Sequence, residues 1–202
     1  MSSNFWDERY LKDEYVYGKN PNEYFKSKID ILKPGKILLP GEGEGRNAVY
    51  AAKNGWEVFC FDFSSQAKIK AEKLAKENNV HINYITDDVN NINYEIEFDL
   101  IAFVFNHFII SENINPYKRI TNFLRKDGNL ILELFSKEQI EYQKKYNSGG
   151  PKNIDVLFDF QMIYESFPNF EAIELKKELI ELKEGNHHIG YSSVIDFFAK
   201  KK

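Results

Sequence analysis

Several absences narrow the class of this chain. Its 202 residues hold a single cysteine, Cys60. No intrachain disulfide can form, so a disulfide-stapled fold is excluded, and a reducing, cytoplasmic setting is expected. Cys60 lies inside an apolar run with no second thiol or base nearby in sequence, which makes it a small buried residue rather than a nucleophile. Histidines are few. His187 and His188 invite a metal reading, but no cysteine, carboxylate cluster or further histidine joins them at ligand spacing, so no metal is expected. Long apolar runs are missing as well. The longest, Leu100 to Ile110, is broken by Asn106 and His107, and the N-terminus has neither a basic n-region nor an apolar h-region, so neither a membrane span nor a signal peptide is expected. A net charge of −4, with the 27 basic residues scattered, leaves no stripe for nucleic acid. The terminal Lys200-Lys-Lys reads as a solvated tail.

What is present is a globular composition. Hydrophobic residues make up 43% of the chain and aromatic residues 15%, enough for one sizeable core and hence one domain over residues 1–202. The stretch Lys36-Ile-Leu-Leu-Pro-Gly-Glu-Gly-Glu-Gly-Arg-Asn-Ala48 organises it. An apolar run stops at three alternating glycines and restarts with helical spacing, which predicts a strand, a tight turn and a helix beginning near Glu44 or Gly45. Gly41, Gly43 and Gly45 permit positive φ and close approach of a ligand to the main chain, and the helix start presents free N–H groups. Asp62 closes the next apolar run, and Asp88 follows the third. Carboxylates at successive strand ends on one edge suit an adenosine, Asp62 taking the ribose hydroxyls.

Charge then separates two cofactors. A dinucleotide brings a pyrophosphate and requires glycine where Arg46 stands. Glu42 and Glu44 would repel that anion, yet they suit the sulfonium and ammonium of S-adenosylmethionine.

The rest of the chain alternates strand and helix, which predicts right-handed βαβ units and a parallel sheet. Residues 2–18 read as a short helix and an ordered aromatic arm. Asn20-Pro-Asn-Glu is a helix start with Asn20 as N-cap, and Tyr24, Phe25, Ile29 and Leu32 follow at helical spacing. Ala48, Val49, Ala51 and Ala52 form a compact helix stopped by Asn54-Gly55. Ser64 caps the next helix, whose apolar stripe is Ala67, Ile69, Ala71, Leu74 and Ala75. The fourth strand, Phe98 to Phe105, is apolar on both faces and ends at Asn106-His107, on the expected crevice. His107 there could orient a substrate or act as a base, or be a hydrogen-bonded structural residue. Asn115-Pro116 starts a helix carrying Tyr117, Ile120, Phe123 and Leu124, and the fifth strand runs from Asn129 to Phe135. Ser136 is expected to cap a polar segment ending at Tyr146. Ser148-Gly-Gly-Pro-Lys reads as flexible, either a substrate gate or a plain connection. Asp159 to Ser166 is a short helix. Phe170–Leu182 and Ile189–Phe198 form an antiparallel hairpin around Glu184-Gly-Asn-His-His.

The run Leu39-Pro-Gly-Glu-Gly-Glu-Gly-Arg-Asn-Ala-Val, with Phe5-Trp-Asp-Glu-Arg-Tyr and Glu14-Tyr-Val-Tyr-Gly-Lys-Asn-Pro-Asn-Glu-Tyr, resembles the tellurite-resistance-type class I methyltransferases. Thiopurine methyltransferases are more distant. The resemblance implies a Rossmann-like three-layer αβα sandwich with a mostly parallel seven-stranded sheet and an antiparallel C-terminal hairpin over 170–199, in which His188-Ile-Gly190 fits. It implies an aromatic lid over residues 1–19, with Trp6, Tyr10 and Tyr17 packed over the cofactor. Leu39 departs from the wider class I pattern, which has an acidic residue there. The methionine ammonium then falls to Glu42.

The expected function is S-adenosylmethionine-dependent methyl transfer to a small acceptor, a soft sulfur, selenium or tellurium nucleophile that needs no strong base. The alternatives are a non-catalytic sensor of the same cofactor and, third, an NAD-dependent oxidoreductase. Gly41, Glu42 and Gly43 are expected at the methionine part, Asp62 and Phe63 at ribose and adenine, Asp88 and Val89 at the far adenine edge, and Phe105 at the methyl-transfer cavity. Arg46, Asn47 and Ser64 complete the cofactor set, and His107 and His188 are the catalytic candidates. No nucleic acid or membrane partner is expected, and the chain is expected to be a monomer or weak homodimer.

Overall fold

The computed structural model describes residues 3–111 and 114–202. Met1 and Ser2 of the expected arm lie outside them. In chain order the elements are α1 (Ser3–Tyr10), α2 (Glu23–Ile29), β1 (Lys36–Pro40), α3 (Arg46–Lys53), β2 (Glu57–Asp62), α4 (Ser65–Glu77), β3 (Asn83–Thr86), β4 (Phe98–Val104), α5 (Pro116–Thr121), β5 (Leu124–Phe135), α6 (Gln139–Tyr146), α7 (Phe160–Ser166), β6 (Phe170–Glu184) and β7 (His188–Lys201). The seven strands form one sheet in the order β3-β2-β1-β4-β5-β7-β6. β1 to β5 are parallel, and β7 runs antiparallel to both β5 and β6. This is the expected Rossmann-like sheet with its terminal hairpin.

Alternation along the strands splits the core in two. Ile37 and Leu39 of β1 face one cluster with residues of α2, α3 and α4, while Leu38 faces the other with Tyr117, Ile120 and Ile163. Helices thus cover both faces, as a parallel sheet requires. Because β1 to β5 run the same way, their carboxyl ends share one edge, and order reverses between β1 and β4, where such a sheet opens a crevice. The hairpin reaches the same edge. β5 pairs only with Val194–Lys200 of β7, so residues 188–193 project past the end of β5 and carry His188 to the crevice.

Local signals were outvoted at several points by tertiary contacts. α2 is capped by Asn22, not Asn20: the Asn22 side chain accepts from Phe25 N at 2.8 Å while its own N–H donates to Asn47 at 2.9 Å. Ile69 is 57% exposed, because α4 buries a narrower stripe than its apolar spacing suggested. α5 ends at Thr121, leaving Phe123 and Leu124 beyond it. Ser136 caps nothing. It is buried in the sheet and donates to Ser193 Oγ at 2.7 Å. The glycine-rich 148–152 stretch is tied down rather than loose: Gln139 Nε2 donates to the Gly149 carbonyl at 2.6 Å, and Gln143 Nε2 to those of Gly149 and Pro151 at 3.1 and 3.0 Å. Among the described residues no helix is long and apolar enough to cross a membrane.

Candidate active site

A cavity of about 790 Å³ opens at the shared strand edge, within the range that holds a cofactor. Its floor is the turn after β1. Gly41 and Gly43 have φ of +57° and +62°, conformations that disfavour any side chain. A Cβ on Gly41 would come within 2.8 Å of Asn106 Nδ2, and that amide donates to the Gly41 carbonyl at 3.0 Å. Asn106, from the end of β4, therefore stitches the turn to its neighbouring strand. Gly45 serves packing instead, its added Cβ meeting Ala71 of α4 at 2.7 Å.

The two glutamates of the turn part company. Glu44 is buried at the cavity wall, accepting from Val16 N at 2.7 Å and pairing with Lys70 Nζ at 2.6 Å. It anchors the arm: the Val16 N–H and the Lys70 ammonium already engage its two oxygens, which leaves Glu42 as the turn's carboxylate with an unengaged oxygen. Glu42 uses Oε1 to cap α3, accepting from Asn47 N and Ala48 N at 2.9 and 2.7 Å. Its Oε2 has no partner among the described residues. Burial raises the Glu42 carboxyl to about 7 against these N–H donors and Arg46.

Asp62, at the end of β2, is 6% exposed and is fixed by Gly43 N on one oxygen at 3.1 Å and Ser64 N on the other at 2.9 Å. Each oxygen keeps a lone pair. Burial raises its carboxyl to about 6, the Ser64 and Gly43 N–H groups opposing. Phe63, Asp87, Asp88 and Val89 continue this wall. Asp88 is exposed and accepts from Asn90 N at 2.8 Å; Asp87 beside it had no signal of its own in the sequence. Ser64 does not line the cavity. It is fully buried, caps α4 through Ala67 N at 3.1 Å and donates to Asp7 at 2.5 Å. Overhead, Trp6 and Tyr10 stack with centroids 5.4 Å apart, and both line the cavity with Tyr17 and Arg9.

The family model described as tellurite resistance protein TehB matches residues 4–149. The chain belongs to the TehB tellurite resistance family. No curated protein sequence matches it significantly. Among solved structures, TehB from Haemophilus influenzae superposes with a TM-score of 0.71 at 16% identity, over 99% of this chain and 67% of that one. A S-adenosylmethionine-dependent methyltransferase from Clostridium acetobutylicum gives 0.66 at 13% identity, over 98% and 97%. The plantazolicin methyltransferase BpumL, solved with a desmethylPZN analogue and SAH, gives 0.65 at 14%, over 89% and 81%. The fold is that of the S-adenosylmethionine-dependent methyltransferases.

In this TehB-family chain the far half of the cavity is aromatic. Phe105 sits just past β4 at φ +54°, an uncommon conformation for a bulky residue and one held only by its surroundings. Its N–H donates to the Glu133 carbonyl at 2.8 Å, and its ring stacks on Phe135 at 4.5 Å. The two candidate histidines differ. His107 is fully engaged by backbone: Nδ1 meets the Val156 carbonyl at 2.8 Å and Nε2 takes the Phe135 N–H at 3.3 Å. Burial holds its pKa down at about 4. With Nδ1 carrying its proton and Nε2 occupied, it has no lone pair to offer a substrate, which removes it as a base. His188 is buried between Tyr17 and Phe105, at 4.3 and 4.6 Å between centroids, with Nδ1 3.0 Å from Glu184 Oε2. Its Nε2 has no partner among the described residues.

Glu184 was read only as part of the hairpin link. It also receives Arg46 Nη2 at 2.8 Å and Asn22 Nδ2 at 3.2 Å. Burial would raise this carboxyl, but the His188 N–H and the Arg46 guanidinium outweigh it and bring it to about 2. Arg46 and Asn47 do line the cavity, Arg46 through a guanidinium already bound and Asn47 through a side chain that accepts from Asn22 N. Four positions separate Glu184 from His188 across a tight turn; that spacing was the one available signal for the pair.

Proposed function

We propose that this chain is an S-adenosylmethionine-dependent methyltransferase whose acceptor is a small molecule presenting a soft sulfur, selenium or tellurium nucleophile. The observation that carries this reading is the placement of Glu42 and Asp62 at neighbouring strand ends. Their free oxygen and free lone pairs border one cavity, beside two glycines whose missing Cβ leaves the main chain bare. A pyrophosphate would be repelled by these carboxylates, whereas an ammonium and a pair of ribose hydroxyls are attracted. The cavity fits the cofactor on that ground, and the fold and family are consistent with it.

When bound, the cofactor supplies a methyl group on a sulfonium whose departure leaves a neutral thioether. The chain's residues then bind and orient. Glu42 holds the ammonium, Asp62 the ribose hydroxyls, and Phe63, Asp88 and Val89 the adenine, beneath Trp6, Tyr10 and Tyr17. Phe105 and Phe135 wall the space where the acceptor enters, and correct alignment there is worth roughly 7 to 11 kcal/mol of barrier. His188 accepts the acceptor's proton at Nε2. Burial keeps its pKa below the usual histidine range, Glu184 opposing, so it is neutral and ready at pH 7. Glu184 holds the proton on Nδ1 and stabilises the imidazolium that forms. Room remains beside His188, along Gly149–Asn153, which favours chemistry over sensing alone.

Isothermal titration with S-adenosylmethionine, its demethylated product and NADH tests the reading. Binding of the first two without NADH is expected. NADH binding with no response to the others would overturn it.

A further inference from the structure

A second cavity, of about 590 Å³, lies beside the first. Residues 17–24, which lead into and begin α2, wall one side. Glu178 and residues 180–185 of the hairpin wall the other, with Arg46 and Glu133 completing the lining. The two cavities share Tyr17, Gly18 and Arg46.

Under this second cavity lies a buried carboxyl pair. Glu133 of β5 and Asp196 of β7 stand directly opposite in the antiparallel register, so their side chains leave the same face of the sheet. Glu133 is 3% exposed and Asp196 is fully buried. Asn22 Nδ2 donates to Glu133 Oε1 at 2.6 Å. Neither oxygen of Asp196 has a hydrogen-bond partner among the described residues, and the Tyr24 hydroxyl, buried in the cavity wall, has none either. Lys176 Nζ lies 3.3 Å from Asp196 but is divided with Glu178 at 2.9 Å. Burial and the charge of Asp196 raise the Glu133 carboxyl, and burial with Glu178 raises that of Asp196, Lys176 opposing. Two such carboxylates ionise together only beside a counter-cation of their own.

The cavity supplies no such cation. Lys19 is taken by Glu77, Arg46 by Glu184 and Lys183 by Glu181, each at 2.8 Å. The field inside is therefore negative and repels an anion. The donor set does not suit a metal: among the described residues no group of three His, Cys, Asp or Glu side chains is placed to hold one. An organic cation fits. Its N–H groups can donate to carboxyl and hydroxyl oxygens, while Pro21, Ile180 and Leu182 in the walls offer apolar surface to a short alkyl stem.

We propose that this cavity is a second binding site, for a primary alkylammonium, whose head sits at the Glu133–Asp196 pair and whose stem lies against Ile180 and Leu182. The site adjoins the bonds that position His188. Asn22 Nδ2 also reaches Glu184 at 3.2 Å, and Glu184 holds both Arg46 and His188.

The test uses the whole chain and n-butylammonium chloride as probe. Butanol supplies the stem without charge, and tetramethylammonium chloride the charge without N–H donors. Wild type should show a saturable thermal shift with butylammonium and an apparent affinity about tenfold or more weaker for the other two, because each lacks the charge-assisted hydrogen bond. Equal shifts with tetramethylammonium would mean screening of surface charge and overturn the site. So would the absence of a saturable shift, a shared proton then being all that the pair holds. Amide NMR of the wild type locates the probe: changes should centre on residues 17–24 and 178–185, and changes confined to residues 41–47 overturn the site. Glu133→Gln, whose amide gives Asp196 a donor, should lose the response, and Glu42→Gln should keep it. A response retained by Glu133→Gln, or lost in a folded Glu42→Gln, overturns the assignment. Should Glu133→Gln not fold, the probe series and the NMR of the wild type decide. None of these readouts involves methyl transfer, so their failure leaves the methyltransferase reading standing.

Discussion

Glu44 Oε1 and Lys70 Nζ lie 2.6 Å apart beneath the N-terminal arm, both side chains nearly inaccessible to water. The remaining Lys70 donors reach the carbonyls of Lys12 and Glu14, each at 2.6 Å. One ammonium therefore ties the glycine turn, helix α4 and the arm that carries Trp6 and Tyr10. Replacing Lys70 by methionine strips a buried carboxylate of its counter-cation and two carbonyls of their donor, a loss of about 3 to 5 kcal/mol. Chemical denaturation should register it, and limited proteolysis should cut within residues 11–18. An arm as protected as in the wild type would refute the role of this contact.

Cofactor affinity should rise with pH. Glu42 titrates at about 7 in the folded chain against 4.5 for a free side chain, and Asp62 at about 6 against 3.8. Both carboxyls are raised, so the folded state binds more protons than the unfolded one between these limits, and the ligand-free chain loses stability as pH rises from about 4 to 7. A cationic ligand favours the ionised Glu42. Calorimetry in buffers of differing ionisation enthalpy near pH 6.5 should therefore detect proton release on S-adenosylmethionine binding, and Glu42→Gln should abolish most of it.

Asp62→Asn keeps the shape but replaces an acceptor by a donor where the proposed binding mode puts two ribose hydroxyls. Affinity for the demethylated cofactor should fall tenfold or more, by about 1.5 to 3 kcal/mol, measured by titration. An unchanged affinity would dissociate Asp62 from cofactor binding.

The two histidines should separate cleanly. His188→Gln should lower kcat by about 10² to 10⁴ where the acceptor must lose a proton, with a smaller effect on an acceptor supplied already ionised. His107→Gln should act on stability. The His107 pKa is about 4 folded and 6.5 unfolded, so its contribution is fully present above pH 6.5 and is lost as pH falls toward 4. Denaturation at pH 7 and pH 4.5 should show that part of the acid sensitivity vanish in the His107→Gln chain.

Much of this was readable because local chemistry and fold agreed. The alternation of apolar runs with capped helices named the βαβ frame, and the glycine turn and Asp62 stood where that frame puts a ligand. The misreadings share a cause. Asn20 and Asn22 offer equal caps in sequence, and only the bonds of Asn22 to Asn47 and Glu133 decide between them. Glu42 and Glu44 looked alike, yet one caps α3 and the other meets Lys70. His107 allowed a functional or a structural reading, and two backbone groups decide for the structural one.

By itself the sequence determined the order of elements, the sheet's parallel core and the edge at which carboxylates gather, because these follow from short-range periodicity and backbone preference. Only the tertiary structure decided which charges cancel. The Arg46–Glu184 and Lys70–Glu44 pairs join residues 138 and 26 positions apart, and the worth of a charge depends on its neighbours in space and the water around it, neither of which a linear order contains.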